Sequence, residues 1–260
     1  MIFLLSPAKT LDFETPLPPG LAATLPRFPD RTRELVEVLR RRSPAELSRL
    51  MHISDALARL NAGRFRDFAE ARAPASARQA VLAFAGDVYD GLQARKLDRA
   101  ALDWAQRHVR ILSGLYGLLR PLDRIQPYRL EMGTRLSIGR ARSLYDYWGP
   151  AIAEALNEDL AADATPVVVN LASQEYFHAV DLRVLKARVV ECVFEDRKGN
   201  GPYRIVSFFA KKARGLMVRY AVERRARLPA QLLGFDLEGY RHDPAASGPE
   251  RIVFRRTMQA

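Results

Sequence analysis

Ile111 to Gly133 reads ILSGLYGLLRPLDRIQPYRLEMG, an apolar run that gives way to Gly114, Gly117, Pro121 and Pro127. A regular element does not continue through such residues, so the chain leaves a strand here and folds into an ordered loop. That loop carries Tyr116, Arg120, Asp123, Tyr128, Arg129 and Glu131. Guanidinium forks, phenols and carboxylates at this density suit recognition of a phosphate or a base edge. The competing reading is a structural loop pinned by its own Arg–carboxylate pairs, which also occur on ordinary surfaces.

Outward from this stretch, Met1 to Leu5 reads as a core strand. The SPAKT segment that leaves it puts Ser6 and Lys9 at a strand terminus, where α/β proteins commonly bind ligands. Lys9 suits a phosphate as a point charge, although the glycines of a P-loop are missing and a plain turn fits as well. Thr165 to Leu171 is apolar and β-branched, a buried strand that delivers Asn170 and Ser173 to its end, just before a helix with Glu175 and Tyr176. A strand end meeting a helix start is either an anion site or only a well-capped helix. Together Ser6, Lys9, Tyr116, Arg120, Tyr128, Arg129, Asn170 and Ser173 resemble the lining of a polar cleft. Glu131 or Glu175 is the candidate general base in it.

Helical spacing of Leu35, Val36 and Leu39 places a helix over Asp30 to Arg42, after a prolyl-rich linker from Pro16 to Pro29. Ser43-Pro-Ala-Glu46 is a capping-box pattern that starts another, and a third begins near Ser54. Two helices flanking Met51-His52-Ile53, over about residues 43–61, have the layout of a helix-hairpin-helix. In that motif backbone N–H groups face a DNA phosphate. His52 and Ser54 stand where the usual hairpin has glycines, and two packed helices without a ligand remain the alternative. Further on, VLAF near residue 81 reads as a strand and DVYDGL as a turn or helix start. Asp98 to His108 reads as a helix, as does the segment from Ser143 through Trp148 and Leu156. Arg188–Glu195 and Tyr203–Phe209 flank KGNG as a hairpin. AKKARGLMVRY forms a helix on which Lys212, Gly215 and Arg219 share a stripe, with Gly215 letting a phosphate backbone approach between two cations. ERIVFRR is a last strand. The expected nucleic-acid contacts are Met51, His52, Ile53, Ser54, Lys211, Lys212, Arg214 and Arg219.

The chain has 260 residues, 48 % of them hydrophobic, enough for one compact unit over residues 1–260. Its net charge is +11, and Arg197 to Arg227 alone carries ten Lys/Arg against Glu223. Such an excess favours an anionic partner. The single cysteine, Cys192, excludes an internal disulfide and reads as a buried strand thiol in a reducing compartment. The short apolar start is a strand and not a signal peptide, so a cytoplasmic protein without a membrane partner is expected. The four histidines show no metal-ligand spacing, and neither a metal nor another cofactor is indicated. No obligate protein partner is evident.

SGLYG, LRPLD and PYRLEMG in the central stretch resemble the YaaA family associated with the peroxide stress response. So do LLSPAKTLDF, LMHISDALARLNAGRF and FAGDVYDGL upstream, and VVVNLASQEYF, SFFAKKARGLMVRY and GFDLEGY downstream. The resemblance covers nearly the whole chain. It implies a mixed α/β fold with a central mixed sheet, surrounding helices and a helix-hairpin-helix. It also implies a cytoplasmic DNA-binding protein that lowers peroxide damage by restraining free iron. Binding through phosphates, with preference for distorted DNA, is one expectation. The alternative is an enzyme processing a nucleobase or nucleotide in the cleft of SPAKT, LRPLD/PYRLEMG and NLAS.

Overall fold

β1 (Ile2–Leu5) is buried along its whole length and lies inside the main sheet. The computed structural model describes residues 1–69 and 76–258. After the short β2 (Thr10–Leu11) the prolyl-rich segment is largely irregular. It is tied to the central stretch where the Thr24 N–H donates to the Leu122 carbonyl at 2.9 Å. α1 (Pro29–Arg40) buries Thr32, Leu35, Val36 and Leu39, the face its spacing foretells. α2 (Pro44–Met51) opens with the expected capping box: Ser43 Oγ accepts from the Glu46 N–H at 3.3 Å, and the Glu46 carboxylate accepts from the Ser43 N–H at 2.8 Å. Those bonds hold the Glu46 carboxyl down at about 2. His52, left-handed at φ +50°, ends α2, and Ser54 caps α3 (Asp55–Arg66).

β3 (Arg78–Gln79), α4 (Ala80–Ala83), β4 (Phe84–Ala85) and α5 (Asp87–Leu92) follow. The strand expected at VLAF is therefore helical as far as Ala83. All four residues are apolar and buried in either form, so a run that short has no period with which to choose. α6 (Arg99–His108) is capped by Asp98, whose carboxylate accepts from the Ala101 N–H at 2.7 Å. β5 (Val109–Ser113) and β6 (Gly117–Leu119) then form a hairpin, and β7 (Arg124–Ile125) pairs with β3. The central stretch thus turns back along the sheet before it leaves. Gly117 sits at φ +70°, and a Cβ there would come within 2.6 Å of the Trp148 ring, so only glycine fits.

One expected helix is two, α7 (Leu144–Trp148) and α8 (Ala151–Asp159), because Gly149 at φ +47° and Pro150 interrupt it. β8 (Val167–Asn170), α9 (Gln174–Phe177), β9 (Arg188–Lys198), α10 (Ser207–Arg224), β10 (Arg241–His242) and β11 (Arg251–Met258) complete the chain. The hairpin expected around KGNG does not form. β9 pairs in parallel with β11 from Arg251↔Glu191 to Met258↔Lys198, so its outer half takes a distant strand as its ladder partner. Among the described residues the returning chain pairs with β9 through one isolated bridge, Arg204 with Asp196, and Pro202 has no N–H to give. Ser207 to Phe209 are the first turn of α10.

The seven-stranded sheet has the order β10-β11-β9-β8-β1-β5-β6. β11, β9, β8, β1 and β5 run parallel, and β10 and β6 are antiparallel edges. Both faces of β1 are buried, as a parallel interior requires. The fold is the expected mixed α/β type around one contiguous hydrophobic core that runs from Met1 to Phe254. α10 lies on α5 at a crossing where Gly91 and Gly215 face each other. A Cβ on Gly215 would stand 1.8 Å from the Val88 carbonyl oxygen. Among the described residues no helix is long and apolar enough to cross a membrane.

Candidate functional site

The strand order reverses at β1: the chain goes first to β5 on one side and later to β8 on the other. In open parallel sheets the crevice beyond the carboxyl ends of such strands is where ligands bind. Ser6 follows β1 and Ser173 follows β8, and the two are joined there. The Ser173 N–H donates to Ser6 Oγ at 2.9 Å, and Ser6 Oγ donates to Ser173 Oγ at 3.3 Å. Ser173 therefore gives its hydroxyl to this junction and makes no side-chain cap for α9. Tyr89 of α5 donates its hydroxyl to the Ser6 carbonyl at 3.0 Å, and Asn170 Oδ1 accepts from the Ala172 N–H at 2.9 Å.

The end of the central stretch crosses the same crevice. Glu131 bridges Lys9 at 3.0 Å and Arg129 at 2.8 Å. Glu175 accepts from the Gly133 N–H at 2.9 Å. Both carboxylates act on the Tyr176 phenol, which burial first of all, then Tyr128, Glu175 and Glu131, push far above its usual range. The two candidate bases thus lie on either side of Tyr176, Glu131 paired with Lys9 and Arg129 and Glu175 bonded to Gly133. Arg129 Nε is buried without an acceptor among the described residues. A buried donor left open in this way calls for a ligand atom or an ordered water.

Three members of the expected cleft have other duties. Arg120 clasps Asp123 at 3.0 Å and donates to the Leu25 carbonyl, and it lines a cavity with Met1, Arg110 and Asp159 at the opposite edge of the sheet. β6 runs back along β5, so its end lies beside the beginning of β5. Tyr116 is buried and its hydroxyl accepts from the Gln126 N–H at 2.9 Å. Tyr128 is buried against Ser113 Oγ at 2.6 Å, and both phenols are pushed up by burial.

The stripe expected on α10 is also rearranged. Gly215 admits α5, not a phosphate. Lys212 pairs with Glu238 at 2.6 Å, and Arg219 with Glu223 at 2.8 Å and with Gln93. Lys211 alone of the four cations is exposed and makes no bond to another described residue. Arg214 is half-buried, which depresses its basicity, while Glu191 opposes that shift. It makes no hydrogen bond or ion pair among the described residues. Glu191 stands beside Asn170 in the sheet, so Arg214 faces the same end of β8. Sequence reasoning missed Tyr89, Glu191 and the inward turn of Arg214; only strand register and the α5–α10 crossing bring them to this edge.

Cys192 is buried, and burial pushes its thiol up to about 12. Native protein at pH 8 is therefore expected to resist an aromatic disulfide reagent for minutes and to yield one thiol per chain after denaturation. Rapid release of the coloured thiolate from the native state would contradict this. Among the described residues no cluster of three or more His, Cys, Asp or Glu could hold a metal ion.

The sheet defines a mixed α/β protein with polar and charged side chains gathered at the carboxyl edge of its parallel strands. The chain belongs to the peroxide stress protein YaaA family, whose pattern it matches over residues 1–246. It is similar to the UPF0246 protein of Paracidovorax citrulli, 65 % identical over 256 residues and 98 % of each chain. It is also similar to that of Delftia acidovorans, 61 % identical over 258 residues and 98 % of each chain. The Verminephrobacter eiseniae protein of that name is 58 % identical over the full length of both chains.

Proposed function

We propose that this chain serves the peroxide response by binding DNA through its phosphates, and so limits the damage that peroxide and free iron do to it. The turn between α2 and α3 carries this reading. His52, Ser54, Asp55 and Ala56 are exposed, and the Asp55 and Ala56 N–H groups have no acceptor among the described residues. Open donors at a helix start attract phosphate, and the exposed Arg49 and Arg59 lie one turn to either side. Met51 and Ile53 are buried and hold the turn instead of touching a ligand. Asp55 opposes an anion at this point.

Replacing Arg49 and Arg59 with alanine is expected to weaken duplex binding and to reduce the slope of log K against log salt by about 0.9 for each phosphate that is no longer neutralised. Asp55→Asn is expected to tighten binding a few-fold. An unchanged slope in fluorescence-anisotropy salt titrations of the double variant would reject this surface. A second reading, favoured by the open Arg129 Nε, is an enzyme that processes a nucleobase or nucleotide in the crevice. Glu131 or Glu175 would act as general base and Arg129 would hold the anionic group. Product analysis of the same DNA mixtures separates the two.

A further inference from the structure

Ile205 and Phe208 are both 57 % exposed and stand three residues apart at the entry to α10. Large apolar side chains exposed this close in sequence are candidates for a contact surface. Phe208 is not loose. Its ring packs edge-on against Phe209 at 5.6 Å, and Phe209 in turn lies under the Arg256 guanidinium at 4.9 Å. The outer face of Phe208 is left to solvent.

The surroundings of this patch are cationic. Arg204 precedes it and Lys211 lies one helical turn beyond it; both are exposed, and neither side chain bonds to another described residue. The nearby acid Glu238 is already occupied by Lys212. From Arg197 to Val222 the chain contains no Asp or Glu. Free cations around the patch repel a second copy of the chain and attract a polyanion. A closed duplex offers phosphates to Arg204 and Lys211 but hides its base faces from Phe208. An unpaired strand offers both, since every base has a face to stack and the backbone follows the charges.

We propose that Phe208, with Arg204 and Lys211 as phosphate contacts, is a stacking platform for unpaired bases of single-stranded or locally opened DNA. This rests on the DNA-binding reading above and adds to it the kind of DNA that is preferred. The Arg204–Lys211 platform is a separate surface from the α2–α3 turn.

The test is fluorescence anisotropy at fixed salt with a 20-nucleotide single strand, its duplex, and the duplex with a central bubble. The proteins are the full-length wild type, Phe208→Ala and Phe208→Trp. Phe208→Ala is expected to lose about ten-fold in affinity for the single strand and the bubble, and less than two-fold for the duplex. Phe208→Trp is expected to keep the affinity and to show its indole fluorescence quenched by the single strand. Both variants change an exposed side chain, so the fold is expected to survive, with an unchanged circular dichroism spectrum as the check. Equal losses for duplex and single strand, or no loss for either, would overturn the platform. So would binding to vesicles of anionic phospholipid that depends on Phe208 while single-strand binding does not. Duplex binding that responds to Arg49 and Arg59 while Phe208→Ala is silent would remove this inference alone. An absence of binding to any of the DNAs would remove the DNA-binding reading with it.

Discussion

Gly215→Ala is expected to destabilise the fold by about 3 kcal/mol, because the crossing of α5 and α10 leaves no room for one more carbon. The new Cβ would stand 1.8 Å from the Val88 carbonyl oxygen and 2.8 Å from the Leu92 nitrogen. These are backbone atoms of a helix, so no side chain can swing aside and the helices must part. Parting them pulls Val218, Met217 and Ala221 away from the surfaces they pack on, in a face that is wholly buried. A chain of this size should lose roughly 10 °C in melting temperature for that cost. Gly63→Ala is the control: in α3 the nearest atom to its added Cβ is the flexible end of Arg66 at 3.7 Å, and alanine suits a helix better than glycine. A melting shift under 2 °C for Gly215→Ala would refute the account. Tyr89 on α5 holds the Ser6 carbonyl, so the same substitution is expected to disturb the crevice as well.

Arg256→Leu is expected to cost about 4 kcal/mol, since it strands a carboxylate inside the protein. Asp196 is fully buried and has two side-chain partners among the described residues, Arg256 Nε at 2.7 Å and the Tyr240 hydroxyl at 2.9 Å. Tyr240 cannot neutralise it; burial first, and then the bond to Asp196, keep that phenol protonated. The guanidinium also covers the rings of Tyr240 at 4.4 Å and Phe209 at 4.9 Å, interactions that leucine replaces only in part. Urea unfolding of Arg256→Leu, Asp196→Asn and the double variant measures the coupling. The double variant should regain a large part of the loss, because the neutral amide no longer needs a counter-charge. Strictly additive losses would show that the carboxylate is not what Arg256 protects.

Local chemistry made much of this architecture legible. The β-branched run around Val168, the buried start at Ile2–Leu5 and the caps at Ser43, Ser54 and Asp98 each act within a few residues, and each formed as its composition requires. What was hidden is non-local. β9 takes β11 as its neighbour some sixty positions away, and nothing in KGNG reports that partner. Arg120 and Arg129 lie in one loop by sequence, yet the antiparallel return of β6 sends them to opposite edges of the sheet. A glycine between two cations on a helix has the same signature whether a phosphate or another helix comes close; only the position of α5 distinguishes them. The junction of Ser6 with Ser173 was legible in kind, as two strand ends, but their meeting depends on β1 and β8 being neighbours.

The place of β1 has a consequence for the biogenesis of the chain. Phe3 pairs with Val109 on one side and Val169 on the other, so the strand that joins the two halves of the sheet leaves the ribosome long before either neighbour. At synthesis rates of about 5–20 residues per second, some ten to thirty seconds pass before β8 emerges. Until β5 emerges both edges of this apolar strand are unpaired, and until β8 emerges one of them still is. A chaperone that shields apolar strands would therefore meet β1 early in the synthesis of every copy.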